Sequence, residues 1–205
     1  MKHFGIILRI MKFNFLIILL FVSCYLHGQT TDSKIYEGVL NYYFRSGTDT
    51  IYDPQNNISE IITISKPKIV LVSKTLELER ESIPDDLLVL NWNNINPEII
   101  SNMIFNNRIT NSIDSLPGFY GFITSLSDES YKMIFNEFGW NGYYAIYGHQ
   151  PLVILTRPGY DENRNSALIY ICISYGPKQG KGLFFYLLNT EGNWKVINMA
   201  SIWES

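Results

Sequence analysis

Four strand-like segments near the carboxyl terminus constrain the fold more than any other feature. They are "PLVILTR" (151–157), "ALIYICISY" (167–175), "GLFFYLLN" (182–189) and "WKVINMASIW" (194–203). Each is rich in β-branched and aromatic side chains and has the length of a strand, and turn-forming residues bound each one. The connections are short, so successive segments pair as an antiparallel meander. The last connection, "TEGN", reads as a tight hairpin with glycine where a positive φ is needed.

Helical patterns dominate upstream. In "DSKIYEGVLNYYFRS" (32–46), Ile35, Val39 and Tyr42 share a face with Tyr36, Leu40 and Tyr43 beside it. Asp32 or Ser33 caps the start and Gly47 closes the end. "EIITISK" and "KIVLVSKTLELE" read as extended segments separated by Lys66-Pro67. "IPDDLLVLNW" and "NPEIISNMIFNNR" read as helix starts, the second with Pro97 in the first turn and Ile100 and Ile104 on one face. "SLSDESYKMIFNEFG" (125–139) is a helix with Ser125 or Ser127 at its cap. Its buried face is Tyr131, Ile134, Phe135 and Phe138, and Gly139 is its stop. The predicted class is α+β: N-terminal and central helices packed on a C-terminal antiparallel sheet, with an added early strand as an option. With 205 residues, 46% of them hydrophobic, the chain suits one domain over 29–205 with a packed core.

The amino terminus carries an export signal. From Met11, "MKFNFLIILLFVSCYLHGQT" has one lysine, an apolar run from Phe13 to Val22 interrupted by Asn14, and a short small-residue tail. That is the layout of a secretory signal peptide over 1–28, and the run is too short for an ordinary transmembrane helix. Met1–Ile10 reads as a mis-assigned upstream start, because Met11 opens a complete signal by itself. Two processing routes fit: cleavage after Gly28, or use of "FVSC" as a lipobox with an acylated Cys24. The second would make the protein a lipoprotein, and its only membrane attachment would be that lipid. The expected location is therefore periplasmic or secreted, with lipid anchoring in the envelope as the alternative. Removing 1–28 takes away Lys2, Arg9 and Lys12 and no acid, which carries the formal charge from −3 to −6. A chain this acidic is a poor general partner for nucleic acid.

Several activities are disfavoured by spacing. "GPKQGKG" (176–182) has the glycines and lysines of a phosphate loop. Only three residues separate Gly176 from Gly180, Gly182 stands where a hydroxyl residue must meet magnesium, and a strand follows instead of a helix. The segment reads as a connection between strands, with Lys178 and Lys181 as solvated charges. After cleavage at Gly28, Cys172 and His149 are the remaining cysteine and histidine. They are too few for a zinc cluster, and Cys172 reads as a buried small hydrophobe rather than a histidine-activated nucleophile. No metal or cofactor is expected. Recognition-type residues concentrate between Trp140 and Arg164, and the candidate ligand-binding set is Arg157, His149, Tyr147, Tyr160 and Asp161. The structural alternative for Arg157 is an ion pair with Asp161 or Glu162 across its own turn.

The pieces "GW" at 139–140, "LTRPGY" at 155–160, "ALIYI" at 167–171, "GKG" at 180–182, "YLLNTEGNWKV" at 186–196 and "W-x-S" at 203–205 resemble a group of uncharacterised exported bacterial proteins. That likeness supplies no catalytic residue. "LLNTEGNWKVINMASIW" is also similar to the ending of nuclear transport factor 2-like domains, which implies a curved sheet wrapped by helices around a pocket. The expected function is non-catalytic binding of a small ligand or an envelope partner; the alternative is a pocket-based hydrolase or isomerase.

Overall fold

The structure is a computed structural model that describes residues 31–45, 50–53, 58–61, 66–78, 95–113 and 115–205. The predicted signal peptide, Cys24, Gly47 and "IPDDLLVLNW" lie outside the described residues. The chain runs through a helix over 31–45 (α1), a two-stranded antiparallel ribbon of β1 (Thr50–Asp53) and β2 (Ile58–Ile61), and β3 (Lys68–Val72). Then come α2 (Pro97–Asn106), β4 (Phe122–Leu126), α3 (Asp128–Glu137) and α4 (Gly139–Tyr147). The remainder is β5 (Leu152–Leu155), β6 (Gly159–Tyr160), β7 (Ser166–Gly176), β8 (Gln179–Thr190) and β9 (Asn193–Glu204).

The fold is α+β, as the sequence predicts, but its seven-stranded sheet is mixed. The order is β4-β3-β5-β7-β8-β9, with β6 beside β7. The strands from β5 onward pair antiparallel, whereas β3 is parallel to both β4 and β5. Parallel neighbours need a long crossover, and two are present. α2 lies in the connection from β3 to β4, and α3 with α4 lies in the connection from β4 to β5. The second crossover sets β5 on the far side of β3 from β4.

Side-chain alternation divides the sheet into two faces. Ile69, Leu71, Val153, Ile169, Ile171, Phe185 and Leu187 face α1, which buries Ile35, Tyr36, Val39 and Leu40 against them. On the other face Leu168 and Phe184 meet α2 through Ile99, Ile100 and Met103. Val70, Val72 and Leu152 meet Ile134 of α3 and Tyr143 of α4. Gly159 lets α2 approach: a Cβ there would collide with Ile99 O and with Met103.

Local expectations hold with named exceptions. Asp32 lies inside α1 rather than at its cap, and Tyr42 is exposed. Ser127 caps α3, accepting from Ser130 N, while Ser125 belongs to β4. Phe138, expected in the core, is 60% exposed, because the chain turns at Gly139 (φ +59) and restarts as α4. α4 itself was not anticipated as a helix. Trp140, Tyr143, Tyr144 and Tyr147 stand at helical spacing on its packed side.

"GPKQGKG" is a strand connection in which Gly176 ends β7 and Gln179 already begins β8. Lys178 is exposed. Lys181 is not a loop-tip charge: it sits in β8 opposite Glu204, with Nζ 3.3 Å from Oε1.

Candidate functional site

The strand pairing that fixes the site is interrupted. β5 and β6 both pair with β7, and residues 156–158 between them make no regular ladder. Asparagines take the ladder's place. Asn107, fully buried, accepts from Arg157 N (2.6 Å) and donates from Nδ2 to Arg157 O (2.8 Å) and Met103 O (2.8 Å). Asn106 Nδ2 donates to Pro158 O, and Asn102 Oδ1 accepts from Tyr160 N. The end of α2 is thereby fastened to 157–160, and the Arg157 and Tyr160 side chains are aimed from a rigid backbone.

Their common partner is Asp32 of α1. Tyr160 Oη donates to Asp32 Oδ1 at 2.5 Å, and Arg157 Nε lies 3.4 Å from Asp32 Oδ2. Burial raises the Asp32 carboxyl above its ordinary value, against the opposing pull of the Tyr160 hydroxyl and the Arg157 guanidinium. Burial, then the neighbouring Asp32 charge, push the Tyr160 and Tyr36 phenols far above theirs. The Tyr160 ring meets Trp194 at 5.9 Å on one side, and the Arg164 guanidinium sits 4.9 Å from its centroid.

Asp32, Arg157, Tyr160 and Arg164 line a polar pocket of about 250 Å³ with Glu98, Asn102, Asn106, Asp161 and Glu162. Asp161 accepts from Asn165 N, Ser166 N and Ser166 Oγ, so its carboxylate holds the turn leading into β7. Glu162 makes no hydrogen bond or ion pair to a described residue.

Of the five candidates from the sequence, Arg157, Tyr160 and Asp161 come together here. His149 and Tyr147 do not. They stand at and beyond the end of α4, where His149 meets the Tyr144 ring at 4.7 Å and Tyr147 meets Tyr143 at 5.2 Å. Tyr147 belongs to the cluster between α3, α4 and the sheet, His149 is exposed beside Tyr144, and neither lines the pocket at 157–164. Arg157 pairs with Asp32 rather than across its own turn. Asp32, Glu98, Asn102 and Asn106 were not in the predicted set. Asp32 in a first turn reads as a cap, and a partner 125 residues away leaves no local signal.

Among the described residues the hydrogen-bonding neighbour of Cys172 Sγ is Ser174 Oγ, at 3.9 Å, and burial raises its thiol pKa, the opposite of an activated nucleophile. Among the described residues no group of three or more His, Cys, Asp or Glu is placed to hold a metal ion, and no helix is long and apolar enough to cross a membrane. Fold and site define an α+β protein with a mixed sheet covered on both faces and a small charged pocket where α1, α2 and the β5–β6 junction meet. Comparison with protein-family models, with curated proteins and with solved structures returns no match.

Proposed function

We propose that the protein is an exported, non-catalytic binding domain whose charged pocket takes a small zwitterion of amino-acid or dipeptide size. One observation carries this reading. The floor of the pocket is internally satisfied, while its rim presents the Arg164 guanidinium and the Glu162 carboxylate, both exposed. A guanidinium recognises a carboxylate by paired hydrogen bonds, and a carboxylate lining the same pocket suits an ammonium group. A volume of about 250 Å³ suits such a ligand. Export is supported by the Met11–Gly28 layout.

A second reading rests on Asp32. A buried carboxylate with a raised pKa beside a tyrosine in a pocket is a candidate proton acceptor, as a pocket-based hydrolase or isomerase would need. Both of its oxygens are already engaged, by Tyr160 and Arg157, which favours a structural role.

Calorimetric titration with L-alanine, L-glutamate and L-arginine tests the binding reading. Saturable heat is expected from at least one, lost in Arg164→Ala and weakened in Glu162→Ala with no change in melting temperature. Silence from all three, or heat that survives both substitutions, rejects it.

A further inference from the structure

The opposite end of the α1-covered face holds a larger cleft of about 510 Å³. Its floor is the β3–β4 edge: Leu71 pairs with Ser125 in register, and Ile123 and Ser73 lie on the same face. Its wall is Ile113 together with the strap over 115–121, which contributes Leu116 and Phe119. Leu116 and Phe119 are anchored in the core.

The wall is held at both ends. Ile113 N donates to Ser73 O at 2.7 Å. At the far end α1 grips the backbone: Gly118 N donates to Glu37 Oε1 (2.7 Å), Asn41 Nδ2 donates to Gly118 O (2.8 Å), and Tyr120 N donates to Asn41 Oδ1 (2.7 Å). Phe122 N closes onto Pro67 O. The cleft is therefore preformed, which lowers the ordering cost of binding.

Its chemistry is distinctive. The described lining residues carry no charge. The apolar pattern of the sheet face gives way to serine at 73 and 125, with Ser115 on the strap, and none of these hydroxyls hydrogen-bonds to a described residue. Apolar walls with a few convergent polar groups and a volume of several hundred Å³ characterise small-molecule sites. We propose that this cleft binds an uncharged small organic molecule with a flat apolar body and one hydroxyl or carbonyl group. The body packs between Ile123 and Phe119, and the polar group is met by the serine hydroxyls. The site is independent of the Arg157 pocket.

The probe is 2-naphthol, neutral at pH 7, followed by its fluorescence with the full chain; 2-naphthalenesulfonate supplies the same ring system with a charge. Saturable 2-naphthol binding with a Kd on the order of 10–100 µM is expected, with the sulfonate at least tenfold weaker. Ser125→Leu, which fills the floor, should weaken 2-naphthol at least tenfold. Ser115→Leu is a second blocking variant on the exposed strap should the first unfold. Asn41→Ala, which releases the wall without touching the probe, should weaken binding severalfold, and Arg164→Ala should leave it unchanged. No saturable binding, equal binding of both probes, or full affinity in a folded Ser125→Leu or Ser115→Leu protein would overturn the proposal.

Discussion

The Tyr160 hydroxyl donates to Asp32 Oδ1 across 128 residues of sequence, and Arg157 approaches the other oxygen of the same carboxylate. A helix at the start of the described chain and a two-residue strand near residue 160 are thereby tied through one buried acid. The tie has a pH signature. The folded-state pKa of Asp32 lies above its unfolded value, so the folded state holds that proton more tightly. The stability from this group is full below the unfolded carboxylate range and declines as pH rises through the folded pKa.

Arg157→Ala removes the counter-charge from a largely buried carboxylate. It should cost about 1.5–3 kcal/mol at pH 7, the range for a hydrogen bond to a charged group. The loss should be smaller at acid pH, where Asp32 is protonated. Asp32→Asn in the Arg157→Ala background should recover part of the loss and flatten the pH dependence. Urea melts across pH 3.5 to 7.5 measure both, and a loss of equal size at every pH would contradict the assignment.

Asn107 stands in for missing strand pairing at Arg157. Asn107→Ala leaves both the N–H and the C=O of Arg157 without that partner inside the protein. About 1–3 kcal/mol per unsatisfied buried group is expected, and Asn107→Leu, of similar size but apolar, should do no better. Hydrogen exchange should show the Arg157 amide opening in a chain whose β7–β8 amides stay protected.

Trp194 is half-buried, packs on the α1 side of the sheet and meets the Tyr160 ring. Its position on the covered face agrees with its place just past the hairpin, whereas Met199 on the same strand is 42% exposed. Trp194→Ala should cost about 3 kcal/mol and lower the melting temperature by roughly 6–12 °C. An unchanged thermal scan would put the ring in solvent.

The β8–β9 turn offers a stabilising change. Glu191 (φ 54) and Gly192 (φ 83) both occupy the left-handed region, the pattern of a two-residue type I′ hairpin, for which Asn-Gly is preferred. Glu191→Asn should raise stability by about 0.5–1 kcal/mol by easing that conformation. Chemical denaturation reads it, and a lower midpoint would show that the Glu191 side chain contributes something the turn geometry omits.

The carboxyl-terminal strands, α1, α2, α3 and the hairpin glycine were legible because each is written in neighbours along the chain. Period-2 and period-3.6 patterns, a proline in a first turn and a serine cap act within a few residues. The same locality shows that "GPKQGKG" precedes a strand, which removes the helix N-terminus a phosphate loop needs. Arg157, Tyr160 and Asp161 stood out by residue type for the same reason. What joined them to Asp32, and separated them from His149 and Tyr147, was decided by tertiary structure. β4 is set parallel beside β3 by a crossover through α2, a pairing that no local pattern records. An aspartate in a first turn is equally suited to capping its own helix or to a tyrosine 128 residues away. Only the packing of α1 over the sheet, which removes that carboxylate from water and sets two donors against it, distinguishes the two roles.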